Sequence, residues 1–222
     1  MAYTVKILDI QPLTHDVRAY KIEKPAGYTF NAGQATEVSI NKPGWENEKR
    51  PFTFTCLNSD DHLEFVIKSY HDHPGVTSQL DKLAPGDELI IDDPWGAIEY
   101  KGPGYFIAGG AGITPFIAIL REQARKGTVA GNILFFSSKT TADIILEKEF
   151  SRILGSDAVF TITHETPPAG YTAGLIDESF LKSRVSDFSK HFYVCGPDAM
   201  VQAISATLEK LGASPEAVVF EK

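Results

Sequence analysis

The sequence predicts two unlike domains. First comes a small antiparallel domain of six β-strands, closed as a barrel or stacked as a sandwich. An α/β domain with a parallel sheet follows. Three observations predict this. Up to about residue 100, apolar and polar residues alternate, with turn signals at short intervals. Beyond it, short apolar strands alternate with segments of helical period. A glycine-rich turn, Gly109–Pro115, directly follows the first strand of that second half. The grammar changes at Lys101-Gly102-Pro103-Gly104, so the domains are expected at 1–101 and 102–222.

In the first half, Thr36, Val38 and Ile40 alternate with Glu37 and Ser39, and Leu63, Phe65 and Ile67 with Glu64, Val66 and Lys68. A period of two marks half-buried antiparallel strands. Pro25-Ala26-Gly27, Asn31-Ala32-Gly33, Lys42-Pro43-Gly44, Asn58–Asp61 and Pro85-Gly86-Asp87 supply the turns. One helix is expected, from about Val76 to Leu83.

The second half opens with the apolar strand Tyr105–Ala108. Pro115 then starts a helix whose buried face is Phe116, Ile117, Leu120 and Ala124. Strands follow at Asn132–Ser138, Ala158–Thr163, His191–Cys195 and Ala217–Phe220. Helices are expected near Leu146–Leu154, over Asp177–Val185, and from Pro197 to Gly212, where Met200, Ile204, Leu208 and Leu211 recur at helical spacing. Five strands alternating with helices imply a parallel sheet covered on both faces.

Composition narrows the function classes. Hydrophobic residues make up 43% and charged residues 23% of the 222, which excludes a disordered, collagen-like or coiled-coil chain. The net charge of −8 argues against a nucleic-acid partner. The longest charge-free run, Gly102–Leu120, is broken by glycines and Pro115, so no membrane span is expected. The N-terminus lacks a basic start and a long apolar run. Two distant cysteines, Cys56 and Cys195, cannot build a disulfide framework, a four-cysteine zinc site or a cysteine-ligated iron–sulfur cluster. A cytoplasmic location is expected.

Four motifs carry chemistry. Gly109-Gly110-Ala111-Gly112-Ile113-Thr114-Pro115, between a strand and a helix, suits a phosphate, because glycines admit close backbone approach and a helix start offers free N–H groups. It also suits a tight turn with no ligand. Cys195-Gly196-Pro197 ends a parallel strand, the edge where α/β sheets bind ligands, although most free cysteines are simply buried. Arg50-Pro51-Phe52-Thr53 offers a cation, a ring and a hydroxyl, all also ordinary in a strand. Gly75-Val76-Thr77-Ser78 is a second phosphate cradle or a plain helix cap. His71-Asp72-His73 has no third ligand at metal spacing, and no metal is expected.

The order RPFT, GVTS, GGAGITP, CGPDAM and a terminal Val218–Lys222 resembles the ferredoxin–NADP⁺ reductase family over essentially the whole chain. The resemblance implies a flavin-binding antiparallel six-stranded β-barrel followed by a Rossmann-like α/β domain that binds NAD(P). It implies that Arg50, Pro51, Phe52 and Thr53 hold flavin, with Arg50 on a phosphate and the Thr53 hydroxyl near the reactive ring nitrogen. Phe52 stands where the family carries tyrosine and Val76 where many members carry glycine. Val66, Ile67, Lys68 and Ser69 would contact flavin mainly through backbone, and Gly75, Val76, Thr77 and Ser78 would hold a flavin phosphate. Gly110, Gly112, Ile113 and Thr114 would line the nucleotide pyrophosphate, with Cys195, Gly196 and Pro197 beside the nicotinamide. Phe220 would lie against flavin and Glu221 close to it, so Thr53, Cys195 and Glu221 are the expected catalytic residues.

The implied activity is electron transfer from NADH or NADPH through FAD, rather than FMN, to a separate one-electron carrier. Alternatives are a reductase that releases reduced flavin and a non-enzymatic nucleotide-binding subunit. Glu165, at the end of the third α/β strand, favours NADH over NADPH, while Lys139 would suit a 2′-phosphate.

Overall fold

The computed structural model describes residues 1–71, 75–96, 98–214 and, for the backbone, 218–220. The chain divides into two compact units, Met1–Ala97 with Thr114–Ile119, and Ile98–Ile113 with Leu120–Lys222.

The first unit is a nearly closed antiparallel barrel of six strands: β1 (Tyr3–Pro12), β2 (Val17–Glu23), β3 (Ala35–Ile40), β4 (Arg50–Thr53), β5 (His62–Lys68) and β6 (Glu88–Ile91). Their order is β4-β3-β6-β1-β2-β5. A bridge between Phe54 and Phe65 brings the two outer strands together, which removes most of the exposed edge. Alternation places Val5, Ile7, Tyr20, Ile22, Val38, Phe54, Phe65, Leu89 and Ile91 inside. The helix α1 spans Val76–Leu80, shorter than the expected Val76–Leu83, and Val76 and Leu80 join that core. Ser39 breaks the expected polar-out pattern: it is fully buried, and its hydroxyl donates to the Glu46 carbonyl at 2.8 Å.

The second unit is a parallel sheet in the order β10-β9-β8-β7-β11-β12. Its strands are β7 (Gly104–Gly109), β8 (Ile133–Ser138), β9 (Ala158–Ile162), β10 (Thr172–Ala173), β11 (His191–Cys195) and β12 (Val218–Phe220). Along the chain, helices α2 (Thr114–Lys126, whose first six residues group with the first unit), α3 (Glu147–Leu154), α4 (Glu178–Arg184) and α5 (Asp198–Lys210) connect them. The strand β10 goes beyond the five expected. Its two residues are too few for periodicity to mark, and the pairing of Thr172 with Thr161 reveals it. In α2 the expected apolar stripe widens: Phe116, Ile117, Ala118, Ile119 and Leu120 are all fully buried, while Ala124 is only half-buried.

Two features position the site. From β7 the chain adds β8 and β9 on one side, whereas β11 and β12 lie on the other, so the strand order reverses between β7 and β11. Loops leaving the C-terminal ends of such strands diverge and open a crevice. The approach to β7 is fixed from the opposite end: the Tyr193 hydroxyl accepts from the Lys101 and Gly102 N–H groups and donates to the Gly102 carbonyl.

Candidate cofactor-binding sites

In the second unit, the glycine-rich turn and Cys195-Gly196-Pro197 come together at the point where the strand order reverses. Residues Gly110–Ile113 form one 3₁₀ turn between β7 and α2. A Cβ on Gly112 would lie 2.4 Å from the Cys195 carbonyl oxygen and 2.6 Å from the Gly196 Cα. Only a residue without a side chain lets these loops pack backbone to backbone. A Cβ on Gly109 would meet the Met200 sulfur of α5 at 2.3 Å, a flexible side chain rather than backbone. Gly110 has φ +53° with open space beside it, so it supplies the left-handed bend of the turn. Thr114 is half-buried and starts α2; Ile113 is buried. Cys195 is also buried, 7% exposed, and Pro197 caps α5.

Further along this edge, Thr141 donates from both its N–H and its hydroxyl to Glu165 Oε1, at 2.7 and 2.9 Å. The Lys139 carbonyl accepts from the His164 N–H at 2.8 Å. The hydroxyls of Ser138 and Thr161, at the ends of β8 and β9, are buried with no hydrogen-bond partner. Buried polar groups are normally satisfied, so an edge with two spare hydroxyls and a glycine cradle fits a polar ligand such as a dinucleotide.

In the first unit, β4 carries Arg50-Pro51-Phe52-Thr53. The Arg50 side chain is exposed and spends one donor on the Lys49 carbonyl at 2.7 Å. Pro51 is exposed as well. Phe52 is half-buried, its ring centre 6.3 Å from that of Phe65. Thr53 is 6% exposed, and its hydroxyl has no partner among the described residues. An exposed arginine with guanidinium donors left for phosphate and a nearly buried spare hydroxyl fit a flavin nucleotide.

Val66, Ile67 and Ser69 are buried, so the end of β5 presents backbone rather than side chains. Lys68 is held by Asp16 at 2.9 Å. Ser69 donates from its N–H to the Asp16 carbonyl at 2.7 Å. At the start of α1, the Ser78 hydroxyl accepts from the Gly75 N–H and donates to the Gly75 carbonyl, a local cap. The half-buried Thr77 hydroxyl has no partner among the described residues, and the Val76 side chain is turned into the core. Two lysines of this unit are paired, Lys42 with Asp87 at 2.8 Å and Lys49 with Asp92 at 2.5 Å.

Glu221, Asp72 and His73 lie outside the described residues, as does the Phe220 side chain. Burial pushes the Cys56 thiol up to about 12, and its sulfur accepts from the Glu64 N–H, so this cysteine is structural. Sequence reasoning missed Arg18, Asp16 and Asp81, whose pairings span the chain and leave no local pattern.

Residues 4–100 match the oxidoreductase FAD-binding domain family, and residues 106–206 the oxidoreductase NAD-binding domain family. The chain is 30% identical to NADH-cytochrome b5 reductase 2 of Mycosarcoma maydis, over 96% of this chain and 66% of the relative. It is 26% identical to the reductase component of propane 2-monooxygenase of Rhodococcus jostii (strain RHA1), over 98% and 62%. The chain thus spans about two thirds of the length of these relatives. A ferredoxin NADP⁺ reductase from Neisseria gonorrhoeae, solved with FAD and NADP, has the same fold, with a TM-score of 0.87 at 20% identity, covering 99% of this chain and 98% of that one. Among the described residues, no helix is long and apolar enough to cross a membrane.

Proposed function

Since the chain belongs to the oxidoreductase family in which an FAD-binding domain precedes an NAD-binding domain, we propose that it moves electrons from NADH through FAD to a separate one-electron carrier protein. The observation that carries this reading is the close approach of Gly112 to Cys195 where the strand order reverses, which makes one nucleotide cradle from two motifs. Bound FAD supplies the chemistry that side chains lack, accepting two electrons as hydride and passing them on singly.

Residues 1–101 would hold FAD and residues 102–222 the nicotinamide nucleotide. Arg50 would pair with a flavin phosphate, and Phe52 would wall the ring. The Thr53 hydroxyl would donate to a ring nitrogen, where it needs no prior bond broken. Segments Val66–Ser69 and Gly75–Ser78 would bind through the backbone groups they leave unpaired and the Thr77 hydroxyl. Gly110, Gly112, Ile113 and Thr114 would take the pyrophosphate; Cys195, Gly196 and Pro197 would lie along the nicotinamide. Phe220 and Glu221 would complete the flavin side. Glu165, oriented by Thr141, would favour a ribose hydroxyl and repel a 2′-phosphate, hence NADH.

Two cysteines are too few for a cysteine-ligated iron–sulfur cluster, which supports a one-electron acceptor outside these 222 residues. Names among the relatives, a cytochrome b5 reductase and a monooxygenase reductase component, support such a carrier. A cytoplasmic location goes with this reading. The test is flavin analysis of the purified protein. One FAD per chain supports the proposal. A colourless protein that reduces added flavin and releases it is a flavin reductase instead. Nucleotide binding without oxidation of NADH by any artificial acceptor marks a non-enzymatic subunit.

A further inference from the structure

Helix α1 has five residues, whereas an isolated helix needs roughly 12–15 to persist in water. Tertiary contacts must therefore hold it. Its apolar side, Val76 and Leu80, is buried in the cluster that contains Tyr20, Ile22 and Ile67. Its C-terminal end is held by charge. Asp81, which closes the helix, accepts from Arg18 Nε at 2.6 Å and from Ser69 Oγ at 3.3 Å. Arg18 sits on β2 opposite Ile67 of β5. A second tie lies beside the first: Asp16 receives the Lys68 ammonium at 2.9 Å and, at its carbonyl, the Ser69 N–H at 2.7 Å. The Tyr20 hydroxyl, two residues beyond Arg18 on the same face of β2, is buried with no partner, so the interior next to this pair holds spare polar capacity.

The result is a chain of contacts, Arg18 to Asp81 to Ser69, that joins the end of β5 to α1. Those are the two segments assigned above to flavin, and neither Arg18 nor Asp81 belongs to a motif that carries the resemblance. We propose that Arg18 and Asp81 are positioning residues for flavin, their ion pair holding segment Val66–Ser69 in register with Gly75–Ser78. The inference rests on the flavin reading. Its physical content is preorganisation: a site whose two halves are already spaced for the ligand does not spend binding energy on ordering them.

The test titrates FAD into the flavin-stripped full chain, following flavin fluorescence, beside thermal melts of the same flavin-free protein. Asp81→Asn and Arg18→Gln are each expected to weaken FAD binding about tenfold. The flavin-free Tm should stay near wild type, because partly exposed ion pairs contribute little to stability. The conservative Asp81→Glu should restore most of the affinity. If Asp81→Asn does not fold, Arg18→Gln decides, since Arg18 is 37% exposed. Wild-type affinity in both variants would overturn the positioning role and leave the flavin reading standing. A Tm that falls in step with affinity would reduce the pair to a structural one and also overturn it. A wild-type chain that binds no FAD would remove the flavin reading itself.

Discussion

Gly112 and Cys195 meet backbone to backbone: a single added carbon on the glycine would come within 2.4 Å of the cysteine carbonyl oxygen. The glycine is therefore a packing requirement of the crevice. Gly112→Ala must push the two loops apart, and overpacking of this kind costs about 1–3 kcal/mol. The expected outcome is NADH affinity reduced by about tenfold or more, with FAD content unchanged. Equilibrium binding of NADH to the oxidised protein measures it.

The spare hydroxyl of Thr53 gives a sharper test. Valine has nearly the same shape and lacks the donor. A single hydrogen bond contributes about 0.5–1.5 kcal/mol, so Thr53→Val is expected to slow flavin reduction up to about tenfold while FAD stays bound. Stopped-flow absorbance under anaerobic conditions reads the rate. An unchanged rate would remove Thr53 from the chemistry.

Glu165 presents its carboxylate to Thr141 at the edge proposed to take a ribose hydroxyl of the nucleotide. Wild-type kcat/KM is expected to be higher for NADH than for NADPH. Glu165→Ala should narrow that ratio by roughly tenfold, the scale of a single partly exposed charge–charge interaction. A wild-type preference for NADPH would reverse the assignment, and Lys139→Ala would then locate its cause.

Asp16 predicts a pH dependence. Burial pushes its carboxyl up, but hydrogen bonds from Lys68 and Thr14 outweigh that and leave it below the usual aspartate value. The stabilisation it gives the end of β5 is present above the unfolded aspartate pKa and is lost as pH falls through the lower folded value. Melts of wild type should thus weaken below about pH 4, and Asp16→Asn should flatten that acid limb. An acid limb identical in the two proteins would show that Asp16 does not contribute.

The two-domain architecture was legible because periodicity is local: alternation in Thr36–Ile40 and Leu63–Lys68, then apolar runs such as Tyr105–Ala108, fix strand type without knowledge of partners. The glycine-rich turn and Cys-Gly-Pro were legible as motifs, yet their meeting was not, since it depends on a strand order that no local pattern records. Strand β10 escaped because two residues show no period. Full burial of Ile119 escaped because it lies off the apolar stripe. Arg18–Asp81 and Lys68–Asp16 escaped for a different reason: charged residues at strand and helix ends read as solvated, and only the folded barrel unit brings them together.

The most direct test of the whole account is an anaerobic titration of the purified protein with NADH, followed by visible absorbance. The account predicts loss of the oxidised-flavin band with one equivalent of NADH per bound FAD. Flavin that stays oxidised at excess NADH, in a protein that binds both, would contradict it.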